Sequence, residues 1–202
     1  MQDQNSKNMT ILLIGPMSAG KSTVGTLLAE KLNLPRYSVD EFRWDYYNEI
    51  GYDEAKAAEI AKSDEGMAGL IRYWKPFEAH AVERMLSDYG RCVIDFGAGH
   101  SVYEDEALFA RIQRVLEPYP YVILLLPSPD LDESVRIVND RFMKMVQAEG
   151  ETVHPDVLKV NEHFVRHPSN YKLAKMTVYT KGKTPEETCA EILLAVQGGS
   201  EI

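Results

Sequence analysis

Residues 10–32 read TILLIGPMSAGKSTVGTLLAEKL, and this stretch decides the fold. Ile11, Leu12, Leu13 and Ile14 form an unbroken apolar run, the pattern of a strand buried on both faces of a parallel sheet. Gly15 and Gly20 bracket the turn that follows, in the spacing GxxxxGK[ST]. Lys21, Ser22 and Thr23 then open a segment whose Val24, Leu27, Leu28 and Leu32 recur at helical spacing. A strand, a glycine loop and a helix in this order make a phosphate-binding loop. Glycine lets the backbone curl so that successive N–H groups, through Ser18 and Ala19, point inward, and the helix N-terminus adds partial positive charge. Lys21 is then expected against the β- and γ-phosphates of a bound nucleoside triphosphate, and Ser22 on Mg²⁺. The loop says that a triphosphate binds; the rest of the chain must decide where its γ-phosphate goes.

Length and charge narrow the classes. The 202 residues are 45% hydrophobic, enough for one full core, so residues 1–202 are read as a single domain with a polar tail over 1–8. A net charge of −9 argues against a nonspecific nucleic-acid surface, which needs clustered Lys and Arg. From Arg136 to Lys183, however, nine Lys and Arg face five Asp and Glu, which marks this quarter for contacts to an anion. Residues 1–9 lack an apolar leader segment and no run approaches membrane-spanning length, so a cytoplasmic monomer without membrane contacts is expected. Cys92 and Cys189 both read as buried small hydrophobes. His163 and His167 share a helix face, but no further Cys or His spacing completes a zinc set.

Beyond the first helix, a strand is expected over 34–39, with Asp40 at its ligand-binding end. Residues 40–89 look helical, with breaks near Gly51, near Gly66 and at Pro76. The strand predicted over 91–96 carries Asp95 and runs into Gly97-Ala98-Gly99, which implies close backbone approach to a ligand. A helix through Leu108 and Leu116, a strand over 121–126, a helix over 131–147, a strand over 176–180 and a last helix opened by Thr184-Pro185-Glu186-Glu187 complete the pattern. Five strands alternating with helices predict a three-layer α/β/α fold with a five-stranded parallel sheet. Periodicity weakens between Ala148 and Pro168, and the polar, basic residues 139–167, which carry Gly150 and Pro155, are a candidate lid closing over the phosphates.

With these residues placed, the chain resembles the shikimate kinase family, within the nucleoside monophosphate kinase-like P-loop proteins. The resemblance runs from Ile11 to about Ile192 and is strongest at GPMSAGKSTVGTLLAEKLNLP and TKGKTPEETCAEIL. It implies an ATP-dependent kinase of a small hydroxylated metabolite, with Lys21 and Ser22 as the phosphate and magnesium residues. Asp40 matches the aspartate that orients the acceptor hydroxyl and takes its proton, and Gly97 and Gly99 the glycine run that touches the acceptor. Arg141 matches a lid arginine that reaches the transferring phosphate, Arg136 and Pro185 residues that sandwich adenine, and Arg166 falls near an arginine that pairs with the acceptor carboxylate.

Several positions depart from the family pattern. Ser18 stands where the family loop usually has glycine, and Ser38 replaces the first aspartate of its DxD. Asp95 supplies a strand-end carboxylate that either takes over the metal or caps the Gly97 loop. The family FRxxE becomes Trp74-Lys75-Pro76-Phe77-Glu78, and its GGG becomes Gly97-Ala98-Gly99. Lys75 and Ala98 therefore alter two contacts of a shikimate pocket, and less efficient use of shikimate than the fold suggests is expected, because Lys cannot grip a carboxylate bidentately. Two rival classes stand beside the kinase. One is a nucleotide-binding module acting through a protein partner; the other is a GTPase switch, weakened by the absence of an NKxD motif.

Overall fold

The structure, a computed structural model, describes Lys7 and residues 9–198. The polar tail expected over 1–8 lies outside the described residues, apart from Lys7. Five parallel strands, β1 (Ile11–Ile14), β2 (Arg36–Ser38), β3 (Val93–Asp95), β4 (Tyr121–Leu126) and β5 (Met176–Tyr179), lie in the order β2-β3-β1-β4-β5. Leu12 stands between Ile94 of β3 and Val122 of β4, so β1 is central. Helices connect every pair of strands: α1 (Lys21–Leu32), then α2 (Val39–Glu49), α3 (Glu54–Lys62) and α4 (Gly66–Asp88), then α5 (Glu106–Leu116). After β4 come α6 (Leu131–Ala148), α7 (Pro155–Arg166) and the short α8 (Pro168–Leu173), and α9 (Pro185–Gly198) follows β5.

Alternation along the strands divides the core into two layers. Leu12, Ile14, Ile94 and Leu124 face Phe77, Ala81 and Met85 of α4 and Ile112 and Leu116 of α5. Ile11, Leu13, Val93, Ile123, Leu125 and Val178 face Val24 and Leu28 of α1 and Cys189, Ile192 and Val196 of α9. Both cysteines are buried and unbridged. Side chains close the helix ends: Asp130 accepts from the N–H groups of Asp132 and Glu133, and Thr184 and Glu187 bond reciprocally as the expected capping box.

Three expectations need correction. Strand β2 is shorter than expected, Arg36–Ser38 instead of 34–39, and Asp40 follows its carboxyl end in the first turn of helix α2. Gly51 and Gly66 do break the helices, each with positive φ, but α4 runs unbroken through Pro76. Buried Lys75, Phe77, Glu78 and Ala79 surround that proline, and their packing outweighs its lost hydrogen bond. Residues 155–166, where periodicity weakens, form a regular helix, because its inner stripe mixes polar Asn161 with Phe164 and Val165 and so blurs the pattern.

Candidate active site

The chain turns to opposite sides of the sheet after β1 and after β3, and the loops leaving these two strands frame a crevice at their carboxyl ends, where open α/β sheets bind ligands. The loop between β1 and α1 curls through left-handed residues: Gly15 at φ 138°, Ser18 at φ 58° and Gly20 at φ 98°. Ser18 thus adopts the conformation that glycine takes most easily. At Gly15 a side chain is excluded outright, since its Cβ would lie 2.5 Å from the Leu125 carbonyl oxygen. Gly20 caps α1 without a side-chain bond and no acidic residue sits in the first turn, so the helix presents its N–H groups to the cleft. Lys21 donates from Nζ to the Gly15 and Pro16 carbonyls at 2.9 and 2.8 Å.

A cleft of about 370 Å³ follows this loop and is lined by residues 17–23, Asp40, Asp95, Phe96, Ala98, Phe142 and Met145. Lys21, Ser22, Asp40, Asp95 and Ala98, singled out in the sequence, therefore converge. Burial lowers the Lys21 pKa to about 8, against the opposing pull of the Asp40 and Asp95 carboxylates. Asp95 is buried and ion-paired with Arg36, on the neighbouring strand β2. The Ser22 hydroxyl and the Asp40 and Asp95 carboxylates give the cleft an oxygen donor set, which suits a hard cation such as Mg²⁺.

The glycine loop after β3 is shaped from both sides. A Cβ on Gly97 would collide with the Asp40 carboxylate and the His100 ring, and one on Gly99 with the Glu78 carboxylate. Lys75, expected to touch the acceptor, is instead 5% exposed beneath this loop. Its Nζ donates to Glu78 at 2.7 Å and to the Gly99 carbonyl at 3.0 Å, between the Tyr103 and Phe164 rings. A buried ammonium must be paired, and the pairing consumes its donors. Arg166 is likewise taken: its guanidinium binds Asp132 at 2.5 Å and Glu162 at 2.9 Å on the surface, and it does not line the cleft.

On the nucleotide side, Arg136 is exposed on α6 and pairs with Glu133 at 3.7 Å. Glu133 also binds Lys181 at 2.5 Å, which draws α6 toward the loop that leads into Pro185, itself exposed at the start of α9. Arg141 is exposed on α6 beside Phe142, a cleft residue. Glu104 joins the expected pair His163 and His167, with ligand atoms within 4.8 Å of one another. Yet His167 Nδ1 already accepts from the Ser169 N–H to cap α8, and the His163 hydrogen bond holds the Glu104 carboxyl at about 2.

Sequence reasoning missed Asn161 of α7. Fully buried, it accepts from the Met17 N–H at 2.9 Å and donates to the Asn139 side chain at 3.0 Å, tying α6 and α7 to the phosphate loop. A single polar residue on an otherwise apolar helix stripe was its one signal. Arg43 was also missed, although it stands one turn beyond Asp40 on α2 and pairs with it at 3.3 Å.

The family profile described as Shikimate kinase matches residues 17–197. Shikimate kinase from Aquifex aeolicus (strain VF5) is 29% identical over 195 residues, covering 95% of this chain and 98% of the relative. Among solved structures, shikimate kinase from Acinetobacter baumannii in complex with shikimate is similar with a TM-score of 0.62 at 20% identity, over 96% of this chain and 95% of that one. A gluconokinase from Sinorhizobium meliloti 1021 is similar with a TM-score of 0.57 at 16% identity, over 95% and 93%. These two structures speak to the fold alone.

Proposed function

The chain belongs to the shikimate kinase family and is an ATP-dependent small-molecule kinase, and on that premise we propose that it phosphorylates a hydroxyl of shikimate or a related hydroxylated carboxylate, with Mg²⁺ accompanying the nucleotide. One observation carries this reading: the phosphate loop, Lys21 and Asp40 share a single cleft with the glycine loop after β3. A binding module without transfer needs no carboxylate beside the phosphate site, so the cleft favours the enzyme.

In this reading the triphosphate lies on the α1 N-terminus, and Lys21 exchanges its carbonyl partners for β- and γ-phosphate oxygens. Asp40 orients the acceptor hydroxyl and takes its proton as the oxygen attacks the γ-phosphorus, while the bond to the β–γ bridging oxygen breaks and ADP leaves. Arg141 reaches the transferring phosphate, and Arg136 and Pro185 hold adenine. Ser22 and Asp95 would hold Mg²⁺, which when bound neutralises charge on the phosphate oxygens; the ion pair with Arg36 orients Asp95. Gly97, Ala98 and Gly99 face the acceptor, whereas Lys75 acts through the loop it supports and Arg166 would have to leave Asp132 and Glu162 to take part. Residues 139–167 form the lid, supported by Phe142 and Met145 in the cleft wall. The enzyme is read as one domain and a monomer, and as cytoplasmic, the compartment that buried, unbridged cysteines and dependence on ATP support.

The test is acceptor-dependent ADP release over shikimate, gluconate, sorbitol and nucleosides, beside Lys21→Ala. Transfer to a hydroxylated carboxylate, lost in the variant, is expected. A kcat/KM for shikimate above roughly 10⁴ M⁻¹s⁻¹ identifies it as the acceptor; no acceptor-dependent release from any compound overturns the reading.

A further inference from the structure

Two buried polar atoms beside Asp40 lack a hydrogen-bond partner among the described residues: Arg43 Nε and His100 Nδ1. Buried polar groups are nearly always paired, so an orphan at a binding cleft points to a group that arrives with a ligand. Arg43 is the better placed cation there. Lys75 and Arg166 spend their donors on carboxylates, whereas the Arg43 guanidinium has one carboxylate partner, Asp40, for five donors. Its plane is held 4.5 Å over the Trp44 ring, and the side chain is 34% exposed.

His100 is 2% exposed in the short helix Ala98–Ser101, and its Nε2 lies 3.2 Å from the Tyr47 hydroxyl. Burial keeps that hydroxyl protonated and the imidazole neutral. We assign the Tyr47 O–H as donor to Nε2, which puts the ring proton on Nδ1, a donor without a partner among the described residues. Nδ1 and the Asp40 carboxylate both border the space that a side chain on Gly97 would fill. The glycine thus lets a carboxylate and an imidazole nitrogen close on one stretch of backbone beside the cleft, with a guanidinium one helical turn away.

We propose that Asp40, Arg43 and His100, over Gly97, form the acceptor subsite, in which Arg43 and the His100 Nδ1–H hold the carboxylate of a hydroxylated acid while Asp40 faces its reacting hydroxyl. The proposal rests on the kinase reading above and names the residues that select its substrate. It also moves anion recognition from the buried Lys75 to side chains of α2 and the Gly97 loop.

Steady-state kinetics on charged and uncharged pairs tests it: shikimate with its primary amide, and gluconate with sorbitol. Arg43→Met should raise KM for the carboxylate substrate about 10- to 100-fold, the loss of one charge-assisted contact, with KM for ATP unchanged. Its preference for the acid over the uncharged partner should collapse, which a merely structural role for Arg43 would not produce. His100→Gln keeps an amide near Tyr47 but removes the Nδ1 donor, and should raise the same KM; His100→Asn, which returns a donor to that position, should recover it. Arg43→Met with wild-type KM and wild-type charge preference overturns the subsite while the kinase stands. Wild-type protein that turns over no member of either pair overturns both.

Discussion

Lys21 carries a charge that its surroundings support only in part. Burial holds its pKa near 8, and a bound triphosphate, by adding negative charge, raises it. Nucleotide binding above pH 8 must therefore take up a proton, and affinity must fall as the pH rises through the free-enzyme pKa. Calorimetry of a non-hydrolysable ATP analogue, in two buffers of different ionisation enthalpy, should give an uptake of about half a proton at pH 8. No uptake would show that Lys21 does not meet the phosphates. Asp40→Asn should keep nucleotide affinity but lose roughly 10²- to 10⁴-fold in transfer, the usual worth of a general base; full activity in that variant moves the base elsewhere. Arg36→Met leaves the Asp95 carboxylate buried without its cation. Breaking such a pair costs about 3 to 5 kcal/mol when fully buried, and the lower end applies because Arg36 is 23% exposed. Urea unfolding measures the loss, and Asp95→Asn on top should restore part of it.

Among the elements, α7 does more than cover the cleft. Asn161 meets both the N–H and the carbonyl of Met17 and also the Asn139 side chain, so one residue joins α6, α7 and the phosphate loop. Removing it orphans a loop N–H at a cost of about 1 to 3 kcal/mol. Asn161→Ala should lower the melting temperature and raise KM for ATP together, because the loop loses a strut. A lower melting temperature with unchanged KM for ATP would limit the clamp to stability. Helix α4 has the converse character. It tolerates Pro76 because Ala79, Ala81, Val82 and Met85 are fully buried against the sheet, and it delivers Lys75 and Glu78 beneath the Gly97 loop.

At the scale of the whole molecule, the five-stranded sheet frames the cleft, and nucleotide binding there should stabilise the fold. Anything that binds only the folded chain stabilises it by mass action, by about 2.7 kcal/mol at a hundred times Kd. For a chain of this length each kcal/mol moves the melting temperature by about 2 to 4 °C. A saturating ATP analogue with Mg²⁺ should therefore raise it by about 5 to 10 °C, and Lys21→Ala should abolish the rise. A shift that survives the variant would place the nucleotide away from the phosphate loop. Chain-wide charge opposes an anionic ligand, because the molecule carries a net −9, but the segment from Arg136 to Lys183 is locally positive and includes Phe142 and Met145 of the cleft wall.

The sequence by itself determined the architecture, the phosphate loop and the family. These are local properties: an apolar run, glycine spacing and helical periodicity each act over a few residues, and one chain position predicts the next. Asp40, Gly97 and Asp95 were legible for the same reason, since strand ends define the ligand edge of a parallel sheet. Tertiary structure alone decided which cations remain available. Lys75, Arg36 and Arg166 are paired with Glu78, Asp95 and Asp132, and in the last two pairs the partners lie far apart in sequence and meet only when the sheet and helices pack. Arg43 and His100 gained significance in the same way, because an unpaired donor can be recognised only after every neighbour in space has been counted.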